Sequence, residues 1–113
     1  MLSTACWTAS PVFAQEPSPP KAWSGCASCH SLKPGENKAG PSLHGVVGRQ
    51  AGSLEGFNFS PAMRDSGITW DDASLDAFLT NPRKHIPGNR MFFGGVSSEA
   101  QRKELIGFLK AHN

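Results

Sequence analysis

The stretch that most constrains this chain is Cys26-Ala27-Ser28-Cys29-His30. Two thiols three positions apart, with an imidazole beside the second, make a C-x-x-C-H, the pattern of covalent c-type haem attachment. Each thiol adds across one vinyl group on the same porphyrin edge, so the sulfurs must sit about one helical turn apart. The adjacent histidine then comes beneath the ring, where a nitrogen can bind iron as the proximal ligand. A chain committed to that chemistry has to wrap itself around a large apolar disc.

A C-x-x-C also serves as half of a zinc site or as a dithiol redox pair. Zinc needs a second Cys/His pair at ligand spacing, and the only other cysteine is Cys6. Thioredoxin-like dithiols sit between a strand and a helix in a βαβ pattern, and no such alternation is visible here. His30 is the discriminating residue. On the motif alone, zinc and dithiol chemistry stay open behind haem.

With 113 residues there is room for one domain. Only 38% of the residues are hydrophobic, and a chain this short buries a modest fraction of its surface, so an apolar cofactor in the middle would complete the core. A net charge of +2 is too balanced for a nucleic-acid binder, though it allows a local basic patch facing an acidic partner. No run of 18 or more apolar residues occurs, so no internal membrane span is expected.

Residues 1–20 differ in character from the rest, with no lysine or arginine and the proline-rich run Pro17-Ser18-Pro19-Pro20. Val12-Phe13-Ala14 before Gln15 resembles a signal-peptidase site. The stretch before it lacks a basic region and is interrupted by Pro11, so it reads as the back half of an export signal. Cys6 has Ser3 where a lipobox wants leucine, and the expectation is that it leaves with the signal. Residues 1–20 are therefore read as a degenerate or truncated export signal plus linker, and 21–113 as the domain. Pro20 can open a helix but cannot lie within one. A helix carrying Cys26 is expected to start near Pro20 and run about ten residues.

Beyond His30 the chain is rich in glycine and proline and reads as loop through Gly45. Two helices are legible later. Asp71-Asp72 place acids at an N-terminus, followed by Leu75, Phe78 and Leu79 on one face and stopped by Asn81-Pro82. Ser98-x-x-Gln101 predicts a capping box for a last helix, with Leu105, Ile106 and Leu109 as an apolar stripe that Phe108 extends. Of these faces, only Phe78 is expected to meet the cofactor.

Gly40-Pro41-Ser42-Leu43-His44-Gly45-Val46-Val47-Gly48-Arg49, Gly67-Ile68-Thr69-Trp70, Asn81-Pro82-Arg83-Lys84 and Ile86-Pro87-Gly88-Asn89-Arg90-Met91 occur in that order. Together with C-x-x-C-H they resemble the mitochondrial and bacterial cytochrome c family, over about four-fifths of the chain from Cys26 onwards, and Phe59-Ser60-Pro61-Ala62-Met63 resembles its bacterial branch. The resemblance implies an all-α, single-domain fold of three to five short helices and long loops around one haem c, bound through Cys26 and Cys29. It implies His30 and Met91 as the iron's axial ligands, with the Pro41 carbonyl accepting from the other ring nitrogen of His30 and orienting it. Met63 is the competing thioether, expected to be flexible packing beside the haem. Trp70 and Arg49 match residues on the propionate side, and His44 matches one that ties two loops together by a hydrogen bond. His85 and His112 read as surface residues.

The chain departs from the family in two places. It has no tyrosine: Phe59 and Phe78 stand where the family often has hydroxyls bonded to a propionate and near the axial methionine. Ser18 and Ala22 stand where the family's N-terminal helix has a glycine and an aromatic, with Trp23 expected to take over packing against Leu105 and Leu109.

Two filled axial positions leave little room for substrate chemistry. The reading is thus a soluble one-electron carrier and not an enzyme, cycling between ferric and ferrous states in a respiratory chain. Its expected partners are redox proteins (quinol–cytochrome c reductase, cytochrome c oxidase or other reductases), met as a monomer through a basic rim of Arg83, Lys84 and Arg90. Thioether formation outside the cytoplasm implies the periplasm, with the mitochondrial intermembrane space as second choice. The rival readings are the haem module of a dehydrogenase or respiratory complex, and incidental peroxidase activity. A di-haem peroxidase would need a second C-x-x-C-H, which the sequence lacks.

Overall fold

Proline begins three helical segments, since its fixed φ suits a first turn and its missing N–H would have no partner there. In the computed structural model, which describes residues 18–113, Pro20 caps a 3₁₀ segment, Lys21–Gly25. Pro61 opens α1, Pro61–Arg64, and Pro82 opens α3, Pro82–His85. The longer helices α2, Asp72–Thr80, and α4, Glu99–Ala111, complete the set. No strand occurs among the described residues, only an isolated antiparallel bridge between Gln50 and Thr69. The architecture is all-α, as expected. Cys6 and the signal-peptidase-like site lie outside the described residues.

The segment before the haem motif is shorter and tighter than the expected ten-residue helix. The Trp23 carbonyl accepts from both Cys26 N–H (2.9 Å) and Ala27 N–H (3.0 Å), so the turn is shared between 3₁₀ and α geometry. Ser24 Oγ donates back to the Lys21 carbonyl at 2.8 Å, and Gly25 adds no helical preference. One α-type turn follows, closed by His30 N–H on the Cys26 carbonyl at 2.9 Å. That turn spans both thiols.

Helix α2 starts on a reciprocal cap. Ser74 N–H donates to the Asp71 carboxylate, and Asp71 N–H donates to Ser74 Oγ, both at 2.8 Å. The capping box expected on α4 is only half formed: Gln101 N–H donates to Ser98 Oγ at 3.3 Å, and no return bond joins them. Asn81 ends α2 and at once caps α3, accepting from Lys84 N–H at 3.2 Å, so the expected stop is also a start.

The 3₁₀ segment and α2 both pack on α4. Leu75, Phe78 and Leu79 from α2, with Leu105, Ile106 and Leu109 from α4, are all buried, each stabilising the fold by about 2 kcal/mol through burial. Trp23 and Phe108 meet at 5.3 Å between ring centroids, so Trp23 does dock the N-terminal segment onto α4, on the flank of the leucine stripe. Arg102 locks the seam from outside. Its Nε donates to Asp76 at 2.7 Å, and its Nη1 to the Val96 and Ser97 carbonyls at 2.9 and 3.0 Å.

Candidate functional site

Gly40 brings the loop after the C-x-x-C-H so close to His30 that any side chain there would collide with the ring: a Cβ would sit 2.7 Å from Nδ1. The approach is fixed by the loop's own bonds. Gly40 N–H donates to the Cys29 carbonyl at 2.7 Å, and Leu43 N–H to the Ser31 carbonyl at 2.8 Å. Buried Ser42 donates from Oγ to the Lys33 carbonyl at 2.6 Å, while its N–H is held by Asn37 Oδ1 at 2.9 Å. The result presents the Pro41 carbonyl to His30 Nδ1 at 2.7 Å. A carbonyl can only accept, so Nδ1 carries the proton and Nε2 keeps its lone pair. Burial pushes the His30 pKa below its ordinary value, with the Pro41 bond partly opposing, which favours the neutral ring that binds metals.

A second pairing sets another wall. Gly48 N–H donates to the Trp70 carbonyl (2.6 Å), Trp70 N–H to the Arg49 carbonyl (2.9 Å) and Ala51 N–H to the Ile68 carbonyl (2.7 Å). Arg49 and buried Trp70 thereby become neighbours. The Arg49 guanidinium donates to the Ser42 carbonyl at 2.8 Å and to the His44 carbonyl at 3.4 Å. Burial pushes it down from its ordinary value, yet it stays a cation. It has no carboxylate partner among the described residues. A half-buried cation without a counter-ion suits an anionic group in the space beside it.

These walls enclose one cavity of about 460 Å³. Cys26, Cys29, His30, Pro41, Arg49, Phe59, Trp70, Phe78 and Met91 all line it. Met63, on α1, lines it too. Sequence reasoning missed part of the wall: Leu75 and Leu79 of α2 and Leu105 and Leu109 of α4 face the cavity alongside Phe78, against the expectation that Phe78 would do so alone. Those leucines were legible as core, and a core built around a cofactor looks the same in periodicity as one built around side chains. Gly40 was quoted within the Gly40–Arg49 motif, but its close approach to the His30 ring was not foreseen.

The histidines outside the cavity differ from expectation. The hydrogen bonds at His44 run through its backbone, so the ring is not seen tying two loops together. His85 is half-buried, edge-on to Phe78 at 6.5 Å, with Nε2 buried and unpartnered, because α3 folds it back against α2. His112 Nδ1 bonds to the Phe108 carbonyl at 2.8 Å and its ring packs on Phe108 at 4.4 Å, which makes it a C-terminal cap of α4.

The residues fit a haem. Two unpaired thiols stand one turn apart, Cys26 buried and Cys29 exposed, beside a neutral imidazole. Burial, reinforced by the neighbouring Cys29, pushes the Cys26 thiol up. Mostly carbon forms the remaining walls, with the cations Arg49 and Arg90 among the few polar side chains. Zinc is disfavoured by the same geometry, since no group of three or more metal-binding side chains occurs among the described residues.

No family model matches the chain. A cytochrome c of Arabidopsis thaliana is 49% identical over 86 residues, covering 75% of this chain and 77% of that protein. Cytochrome c2 iso-2 of Magnetospirillum fulvum is 46% identical over 92 residues, covering 81% and 96%. In structure, cytochrome cH from Methylobacterium extorquens matches with a TM-score of 0.76 and 41% identity, over 80% of this chain and 92% of that one. Fold and site thus define a mono-haem protein of the class I type. The chain belongs to the cytochrome c family. It carries one haem c, attached through Cys26 and Cys29, and it is an electron-transfer protein rather than an enzyme.

Proposed function

We propose that His30 and Met91 are the two residues that would hold the iron, and that this chain shuttles single electrons between respiratory proteins of the periplasm. The observation that carries the reading is the convergence of both thiols, the His30 imidazole and the Met91 thioether on one apolar cavity. When bound, the haem supplies an iron that accepts and returns one electron. Pro41 fixes the face that His30 presents and raises its basicity. Met91, a soft neutral donor, favours the ferrous state and raises the potential. Met63 rides on a one-turn helix as packing, and Arg49 and Trp70, both lining the cavity, would hold the polar edge of a bound ring. Phe59 and Phe78 close the pocket with rings that carry no hydroxyl.

The partner-facing rim lies around the Met91 loop. Arg90, Phe92 and Phe93 line the cavity mouth, and Arg83 and Lys84 are exposed on α3. None of the three cations has a carboxylate partner among the described residues. The acids of α2 are neutralised elsewhere, Asp72 by Lys110 at 2.6 Å and Asp76 by Arg102 at 2.7 Å. That asymmetry supports steering of the rim towards an acidic redox partner through a small, short-lived interface. No helix of the described residues is long and apolar enough to cross a membrane. Stopped-flow oxidation of the ferrous protein by a terminal oxidase preparation tests the proposal: the second-order rate should fall steeply with added salt. Absence of electron exchange with any respiratory preparation would contradict it.

A further inference from the structure

We propose that Asn89 is the residue that keeps Met91 on the iron, bracing the ligand loop at three points. The inference rests on Met91 being an axial ligand. Asn89 lies two residues before Met91 in Ile86-Pro87-Gly88-Asn89-Arg90-Met91, and the resemblance assigns it no role. Its Nδ2 donates to the Pro82 carbonyl at 2.9 Å and to the Ile86 carbonyl at 2.8 Å. Its Oδ1 accepts from the Met91 backbone N–H at 2.9 Å, an Asx turn. The amide orientation is dictated by its partners. Two carbonyls need donors and one N–H needs an acceptor, so a flipped amide would break all three bonds.

Pro82 and Ile86 stand at the two ends of α3, and both are buried. Helix α3 packs on α2, whose Phe78 and Leu75 wall the cavity. Asn89 therefore joins the Met91 backbone to an element that is itself seated on the haem pocket. The only other hydrogen bond of the loop among the described residues is backbone, Asn89 N–H to the Ile86 carbonyl at 3.2 Å. Pro87, Gly88 and Arg90 are exposed, and Gly88 takes a left-handed φ of 89°. A thioether is a weak neutral ligand, and a loop that orders it in advance raises the time it spends bound. Asn89 is thus a positioning residue, acting through Met91.

The test uses the ferric holoprotein and exogenous imidazole, which binds the iron only after Met91 has left it. The thioether-to-iron charge-transfer absorption reports the same bond directly. In Asn89→Ala, imidazole binding should accelerate by roughly tenfold or more, since three hydrogen bonds are lost. Asn89→Ser keeps an acceptor for the Met91 N–H but cannot reach both carbonyls, and should fall between. Arg102→Ala destabilises the α2–α4 seam away from the loop, and should lower the unfolding midpoint with little change in the imidazole rate. An Asn89→Ala rate within about twofold of wild type, with the absorption intact, would overturn the brace alone. Equal acceleration in Arg102→Ala at matched stability would do the same. A wild-type protein without the absorption would overturn the Met91 assignment and the brace with it. Where Asn89→Ala yields too little holoprotein, Asn89→Ser carries the comparison, and a wild-type rate there contradicts the proposal.

Discussion

His30 Nδ1 donates to the Pro41 carbonyl at 2.7 Å, and the residue that lets the two meet is Gly40. A Cβ at position 40 would penetrate the imidazole, and the bonds that tie Gly40 to Cys29, Leu43 to Ser31 and Ser42 to Lys33 leave the loop no freedom to retreat. Gly40→Ala should therefore twist His30 away from the iron. The expected loss is about 1–3 kcal/mol, the usual range for forced overpacking, measured by chemical denaturation, with a high-spin fraction emerging in the ferric spectrum. Wild-type stability and spectrum in this variant would show that the loop yields.

Arg49 is a cation that the protein part of the site leaves without a carboxylate. A positive charge beside the pocket favours the reduced, less positive iron. Arg49→Ala should therefore lower the reduction potential, by up to roughly 60 mV, a tenfold shift in a one-electron equilibrium. It also removes donors from the Ser42 and His44 carbonyls, so a modest stability loss should accompany it. A spectroelectrochemical titration decides the sign, and a rise in potential would contradict the placement of Arg49 beside the cofactor.

How much of this was readable in advance depends on the kind of interaction. The C-x-x-C-H and the proposed ligand Met91 carry their chemistry in their residue types, so they were legible before the fold, and all four side chains line one cavity. The helices α2 and α4 announced themselves through Leu75, Phe78, Leu79, Leu105, Ile106 and Leu109 because burial imposes a period. What stayed hidden depends on contacts between segments far apart in the chain. Leucines facing the cavity look like any core leucines, α3 is too short for periodicity to register, and His85 is half-buried through a contact with Phe78 from another helix. The half-formed cap at Ser98 shows the converse, since a motif supplied the residues but only one of the two bonds.

The Asp71 cap gives stability a pH dependence. Ser74 N–H, assisted by the Ser74 hydroxyl, holds the Asp71 carboxylate below its ordinary 3.8. A carboxylate with a depressed folded-state pKa stabilises above its unfolded value, and that stabilisation is lost as pH falls through the folded one. Asp71→Ala should therefore lower the thermal midpoint at neutral pH. Its deficit relative to wild type should shrink as pH drops below about 4. A deficit that stays constant to pH 2 would mean that the carboxylate charge is not what caps α2.

Phe92 is 95% exposed beside Met91 and Arg90, in the wall of the cavity mouth. An aromatic ring among cations that have no carboxylate partner among the described residues separates two contributions to partner binding. Charge reversal, as in Lys84→Glu, should lower the association rate and flatten its salt dependence. Phe92→Ser should instead weaken the complex about equally at low and high salt, by shortening its lifetime. Stopped-flow measurements with an oxidase across an ionic-strength series distinguish the two, and a Phe92→Ser effect confined to low salt would contradict a nonpolar contact.

The central claim is that the iron sits between His30 and Met91, with Met63 as packing only. The most direct measurement is the visible spectrum of the purified ferric protein in Met91→Ala and Met63→Leu. The predicted result is low-spin haem with the thioether charge-transfer absorption in wild type and Met63→Leu, and loss of that absorption in Met91→Ala. Retention in Met91→Ala, or its loss in Met63→Leu, would contradict the account.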